Sequence, residues 1–175
     1  MGGLVAMKLA LAHPAAVDRL MVVDALPFFG TVFADSATVE TMRPIATTMR
    51  SRMLGAREAI AAKAATPVTT DPGGDMSATA EGRIKVANWS MKADPGVVGQ
   101  AVYEDMLTDL RKDIARIAMP MTVLFNGSAA ANASIYARDY AAQPGAKLVA
   151  IPNSGHFVML DQPERFAAEV ASFLR

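Results

Sequence analysis

Three short apolar runs, residues 20–23, 121–125 and 147–151, set the strongest limit on what this chain can fold into. None shows the alternation of a strand with one wet face, so each reads as a strand covered on both sides, the habit of parallel sheets. Helical composition separates them: residues 4–12, 35 to about 65, 81–92, a stretch opened by Asp94-Pro95, residues 134–142, and a last helix from Pro163. Pro14 stops the first of these and forces His13 out of the helical region. Ser36 is the expected cap for the second, and Asp94 followed by proline is the expected start of the fourth. Val98, Val102, Met106 or Leu107, Leu110, Ile114 and Ile117 form an apolar stripe, with a break expected at Arg111-Lys112-Asp113. Residues 66–80 carry the turn chemistry of a surface loop. Strands alternating with helices predict an α/β fold with a parallel sheet.

Composition narrows the chemistry. The chain has 17 basic and 17 acidic residues, a balance that does not suit a phosphate-binding surface, so no nucleic-acid partner is expected. It lacks cysteine, which removes thiolate catalysis, disulfides and zinc ribbons, and its two histidines, His13 and His156, make a multi-histidine metal site unexpected. No metal and no cofactor are expected. No apolar run reaches the roughly 20 residues of a membrane span.

The first residues are unusual. Residues 4–12 are apolar except for Lys8, which predicts a helix buried nearly all round, yet no capping residue precedes it. A secretory signal would need its basic region ahead of the apolar segment, and the single lysine lies inside it. Three strands also make a small sheet for a doubly covered fold. Both observations suggest that part of the sheet is absent.

Particular residues carry a resemblance to the C-terminal part of an α/β-hydrolase-fold protein. Met1-Gly2-Gly3-Leu4-Val5-Ala6 resembles the segment directly after the serine of the family's Gly-x-Ser-x-Gly turn, often Gly-His-Ser-Met-Gly-Gly. His13-Pro14-Ala15-Ala16-Val17-Asp18-Arg19-Leu20 and Val22-Val23-Asp24 resemble the helix end and the strand after it. Residues 150–157, Ala-Ile-Pro-Asn-Ser-Gly-His-Phe, with Asp161-Gln162-Pro163-Glu164-Arg165-Phe166, resemble the histidine loop and final helix. The resemblance implies a nucleophile-side helix and strand in residues 1–29, a helical cap in 30–117, and the last strands, histidine loop and final helix in 118–175. It also implies that the nucleophile serine would precede Met1, so the chain is expected to be truncated and inactive alone.

A hydroxyl attacks an acyl carbon only when a base takes its proton, and histidine does this near neutral pH when a carboxylate fixes its tautomer. His156 occupies the family's histidine position. The acid departs from the pattern. The place after residues 121–125 holds Asn126, Gly127 and Ser128, where Asn126 could orient a histidine without supplying charge. Asp139 is expected to be solvated, and Asp161 stands too close to His156 along the chain. Asp24 follows an earlier strand, a place some members of the family use for the acid; it is one reading, with a turn-capping role competing, and loss of the acid at Asn126–Ser128 is the other. Ser128, Ser134 and Ser154 lie outside any nucleophile turn, and His13, Lys8 and Trp89 read as structural or surface residues.

The implied activity is cleavage of an ester or related acyl bond in a small apolar molecule, within a pocket shaped by a methionine-rich cap. A non-catalytic module that needs a partner chain is the alternative, with self-association through an exposed sheet edge. Lyases and cofactor-free oxygenases of the same fold remain open. Substrate and cellular location are not encoded in any motif, since a signal would lie upstream of Met1.

Overall fold

The computed structural model describes residues 1–63 and 66–175. Three parallel strands form the sheet: β1 (Leu20–Val23), β2 (Met121–Asn126) and β3 (Lys147–Ile151), side by side in that order. Leu20 pairs with Met121 and Val23 with Leu124, while Thr122 pairs with Lys147 and Asn126 with Ile151. All three carboxyl ends therefore open on one rim.

Both faces of the sheet are covered, as the unbroken apolar runs require. On one face Val22, Val123 and Phe125 pack with Leu4, Met7 and Ala10 of α1 (Gly2–Ala12) and with Tyr136 and Tyr140. On the other, Leu124, Val149 and Ile151 meet Val158 and Phe166. Each fully buried aliphatic side chain contributes roughly 1.5–3 kcal/mol to this core. α1 lies unusually close to β1 because position 3 is glycine. A Cβ there would stand 2.7 Å from the Ala25 Cβ and 2.8 Å from the Val22 Cγ1.

The expectation that α1 is buried on all sides is not met. Leu4, Met7 and Ala10 are buried, but Val5 is 61% exposed and Leu9 49%. The helix packs against β1 on one face, and among the described residues nothing covers the opposite stripe. Met1 precedes it without a side-chain cap.

Between β1 and β2 the chain makes a helical insert: α2 (Val39–Gly55), α3 (Arg57–Lys63), α4 (Ala80–Lys92) and α5 (Pro95–Leu107). Ser36 is not the cap of α2. Thr38 and Thr41 cap it reciprocally, each side-chain oxygen accepting the other's backbone N–H. Residues 64 and 65, the end of the helical stretch expected from 35, lie outside the described residues. Asp94 caps α5 as expected, accepting from Gly96 and Val97. The insert has an apolar centre of its own in Phe28, Ala37, Met42, Ala46 and Met106. After β2 come α6 (Ala130–Asp139), four residues ahead of its expected start, then β3, the short α7 (Val158–Asp161) and α8 (Pro163–Phe173).

Candidate active site

Asp24 is the first residue after β1, Asn126 ends β2, and His156 follows β3 by five residues. The parallel register thus delivers all three to one rim, the end of a parallel sheet where ligands bind in open α/β folds. Asp24 adopts a left-handed conformation, φ 46°, which aspartate tolerates better than most residues. Its backbone N–H donates to the Leu124 carbonyl at 2.7 Å, so the strand pairing extends into the turn and fixes it.

The Asp24 carboxylate is fully engaged. Its Oδ2 lies 2.8 Å from the His156 Nδ1. Its Oδ1 accepts the Asn126 backbone N–H at 2.9 Å and the Tyr136 hydroxyl at 3.0 Å. A carboxylate can only accept, so in a neutral imidazole paired with it the proton sits on Nδ1 and the lone pair on Nε2. The Asp24 side chain is 13% exposed and the imidazole 44%, so the carboxyl group is sheltered and the ring is open to solvent. Burial, and then the nearby Asp24 charge, push the Tyr136 hydroxyl far above its ordinary range, so it stays a donor to Asp24. The Phe157 and His156 rings meet edge to face with centroids 5.2 Å apart, and Trp89 of α4 packs on Phe157 at 6.1 Å.

The structure therefore brings Asp24 and His156 together and leaves the other acids elsewhere. Asn126 reaches the pair through its main chain. Its side-chain oxygen instead accepts the Ser128 N–H at 2.9 Å. Asp139 is not solvated: it is 4% exposed, taking bonds from the Thr31 hydroxyl and the Arg138 Nε. Its location at the end of α6, folded under the turn at residues 29–32, explains the difference. Asp161 bonds the backbone of Gly155 rather than the imidazole. The Ser154 hydroxyl is buried and donates to the Ile151 carbonyl at 2.8 Å, and the Ser128 hydroxyl donates to the Ser154 carbonyl at 2.8 Å. Ser134, His13 and Lys8 are exposed.

Tyr136 and the Asn126 amide are site groups that the sequence did not single out. Their signal is weak, because Tyr136 and Asp24 lie 112 positions apart and neither sits in a motif with the other. Among the described residues no three metal-ligating side chains converge, and no helix is long and apolar enough to cross a membrane.

Residues 1–169 match the model of a family described as the alpha/beta hydrolase family. Among solved structures, the enol-lactonase from Burkholderia xenovorans LB400 superposes with a TM-score of 0.67 at 20% identity, covering 99% of this chain and 62% of its own. A hydrolase from Pseudomonas aeruginosa gives 0.64 at 22% identity, with coverages of 98% and 61%. MenH from S. aureus gives 0.64 at 14% identity, with coverages of 98% and 64%. The chain thus spans less than two thirds of the length of these relatives. None of the curated proteins matches it.

Proposed function

Because the chain belongs to the alpha/beta hydrolase family, we propose that His156 and Asp24 are the general base and orienting acid of a hydrolase that cleaves an ester or related acyl bond. The observation that supports this reading is the contact between Nδ1 of His156 and Oδ2 of Asp24, 2.8 Å, on the rim where all three strands end. In this reading Nε2 takes the proton of an attacking hydroxyl as its oxygen bonds to the acyl carbon. The imidazolium so formed is stabilised by the Asp24 carboxylate, and Nε2 then returns the proton to the leaving oxygen. The nucleophile in this reading is a serine hydroxyl, the group that a histidine–carboxylate pair activates.

The helical insert would serve as the cap that shapes the pocket. Trp89 and Phe157 offer an aromatic wall beside the imidazole, suited to an apolar small molecule. Methionine contributes less to such a lining than its abundance suggests, since Met42 and Met106 are packed inside the insert's own centre. The test is hydrolysis of an activated ester such as p-nitrophenyl acetate. Any rate above background should vanish in His156→Ala and persist in His13→Ala. A rate that survives His156→Ala overturns the assignment.

Two observations favour the second reading, a module completed by a partner chain. Met1, Val5 and Leu9 repeat every fourth residue as an exposed apolar stripe on α1, and among the described residues no strand pairs with the outer edge of β1. Gel filtration across a concentration series separates the two. A monomer at all concentrations with a cooperative melt counts against a required self-partner.

A further inference from the structure

The two residues flanking His156 are both tied to the helical insert, and one side chain organises the tie. Asp161, in α7, places its Oδ2 2.7 Å from the Gly155 N–H and 2.9 Å from the Ala78 N–H. A single oxygen therefore bridges the residue before the histidine and the loop before α4. The other oxygen accepts the Ser77 hydroxyl, the Thr79 N–H at 3.4 Å and the Thr79 hydroxyl at 3.3 Å. On the far side of the histidine, the Phe157 N–H donates to the Met76 carbonyl at 3.0 Å. Gly155 makes the approach possible: a Cβ there would stand 2.6 Å from the Asp75 carbonyl oxygen and 2.8 Å from that of Met76. Ser77, Ser154 and Asp161 are all buried at this contact. A largely buried carboxylate held by five donors from two segments is a firm joint between them, because removing the carboxylate would take the partner from all five at once.

We propose that Asp161 is a positioning residue for His156, holding the histidine loop against residues 75–79 so that Nδ1 meets Asp24. The inference rests on the reading of His156 and Asp24 as base and acid. Asp161 does not touch the imidazole. It acts through the main chain at Gly155, while the insert holds the chain at Phe157. The base and the loop of the insert are thereby coupled: displacing residues 75–79 displaces the imidazole.

The tautomer of His156 reads this coupling directly. In a chain carrying 15N-labelled histidine, two-bond proton–nitrogen spectra near about pH 8, where a neutral ring shows which nitrogen holds the proton, separate the Nδ1–H form from the Nε2–H form. His13→Gln assigns the two rings. Wild type should show predominantly the Nδ1–H form and Asp24→Asn should lose it. Failure of either result removes the base–acid reading itself. Asp161→Asn should lower the ratio of Nδ1–H to Nε2–H forms at least about threefold, with the far-UV circular dichroism spectrum kept, because the Nδ1–H form is favoured only while the loop holds the ring against Asp24. Trp89, the sole tryptophan, should change emission in the same variant, since it rests on Phe157. A merely structural Asp161 would lower the melting temperature and leave the tautomer ratio alone, and that result overturns the proposal while sparing the base–acid reading. If Asp161→Asn does not fold, Ser77→Ala decides. It removes one donor from the insert side, and an unchanged tautomer ratio there overturns the proposal equally.

Discussion

The Asp24 Oδ2 and the His156 Nδ1 are 2.8 Å apart in space and 132 positions apart in sequence. Their strands are not neighbours. β2 lies between β1 and β3, so the two side chains approach each other over its end, from backbones roughly 10 Å apart at ordinary strand spacing. What closes that gap is the end of β2 itself, whose Asn126 amide holds the other carboxylate oxygen. The pair is thus a product of the sheet order, with each strand contributing one group.

Removing Asp24 and removing His156 should have unequal effects on stability. Asp24→Ala strips partners from the Tyr136 hydroxyl and the Asn126 N–H, both part-buried donors. It should destabilise the fold by about 1–3 kcal/mol. His156→Ala removes a half-exposed ring and should cost about 1 kcal/mol or less. Urea denaturation of both variants checks the order, and equal losses would argue that Asp24 is not the hub described.

Tyr136→Phe deletes one donor to Asp24 while keeping the ring stacked on Phe125, centroids 4.4 Å apart. The expected loss is about 1.5 kcal/mol, the low end of the net worth of one hydrogen bond to a charged group. The wild-type hydroxyls of Tyr136 and Tyr140 are both held above the ordinary value of 10, chiefly by burial. A group bound more tightly to its proton when folded stabilises the fold below its unfolded value and loses that contribution as pH rises past it. Ultraviolet titration should therefore show two of the three tyrosines ionising only together with alkaline unfolding.

Gly3→Ala and Gly2→Ala form a paired test of how closely α1 approaches β1. The new methyl group at position 3 would press on Ala25 and Val22, whereas nothing lies within 4 Å of one at position 2. Gly3→Ala should cost about 1–3 kcal/mol through overpacking. Gly2→Ala should be neutral or stabilising by up to about 1 kcal/mol, since alanine favours the helix. Thermal melts of the two variants give the comparison.

Acid should release the loop before α4 ahead of the rest of the fold. The Arg83 guanidinium, then the Gly73 N–H, hold the Asp71 carboxyl down to about 2. Burial works to raise Asp161, but the Ser77 hydroxyl and the Ala78, Gly155 and Thr79 N–H groups outweigh it and keep it below the ordinary 3.8. A carboxylate depressed in the folded state contributes its stability above the unfolded value and loses it as pH falls through the folded one. The sensitive window is therefore from about pH 4 down to about pH 2. Trp89 emission followed through it should change before the far-UV circular dichroism does. Coincident transitions would mean that the loop and the sheet melt as one unit.

The sheet was the most legible part of the sequence. β1 and β3 run over the same residues as the apolar stretches at 20–23 and 147–151, because strands covered on both faces announce themselves by continuous apolar character. His156 stood out through its neighbours on both sides, and Asp24 stood as one of two readings of the acid. What the sequence hid were contacts between distant residues. Tyr136 reaches Asp24 across 112 positions and Ser77 reaches Asp161 across 84, and no local pattern encodes either. Asp139 looked solvated because a charged residue at a helix end usually is, but Thr31 meets it from 108 positions away. The burial of α1 was overestimated for a related reason. Its composition records that residues are apolar, and the exposed Val5 and Leu9 show that composition does not say which of them are covered.

The contribution of Asn126 to Asp24 comes from its peptide nitrogen, and that has a consequence for how the turn after β2 can vary. Every amino acid except proline supplies the same N–H. The identity of side chain 126 is therefore decoupled from the partner of His156, and a carboxylate could be gained or lost in that turn without the imidazole losing the one it has. Proline is the replacement at position 126 that would take this N–H from the pair.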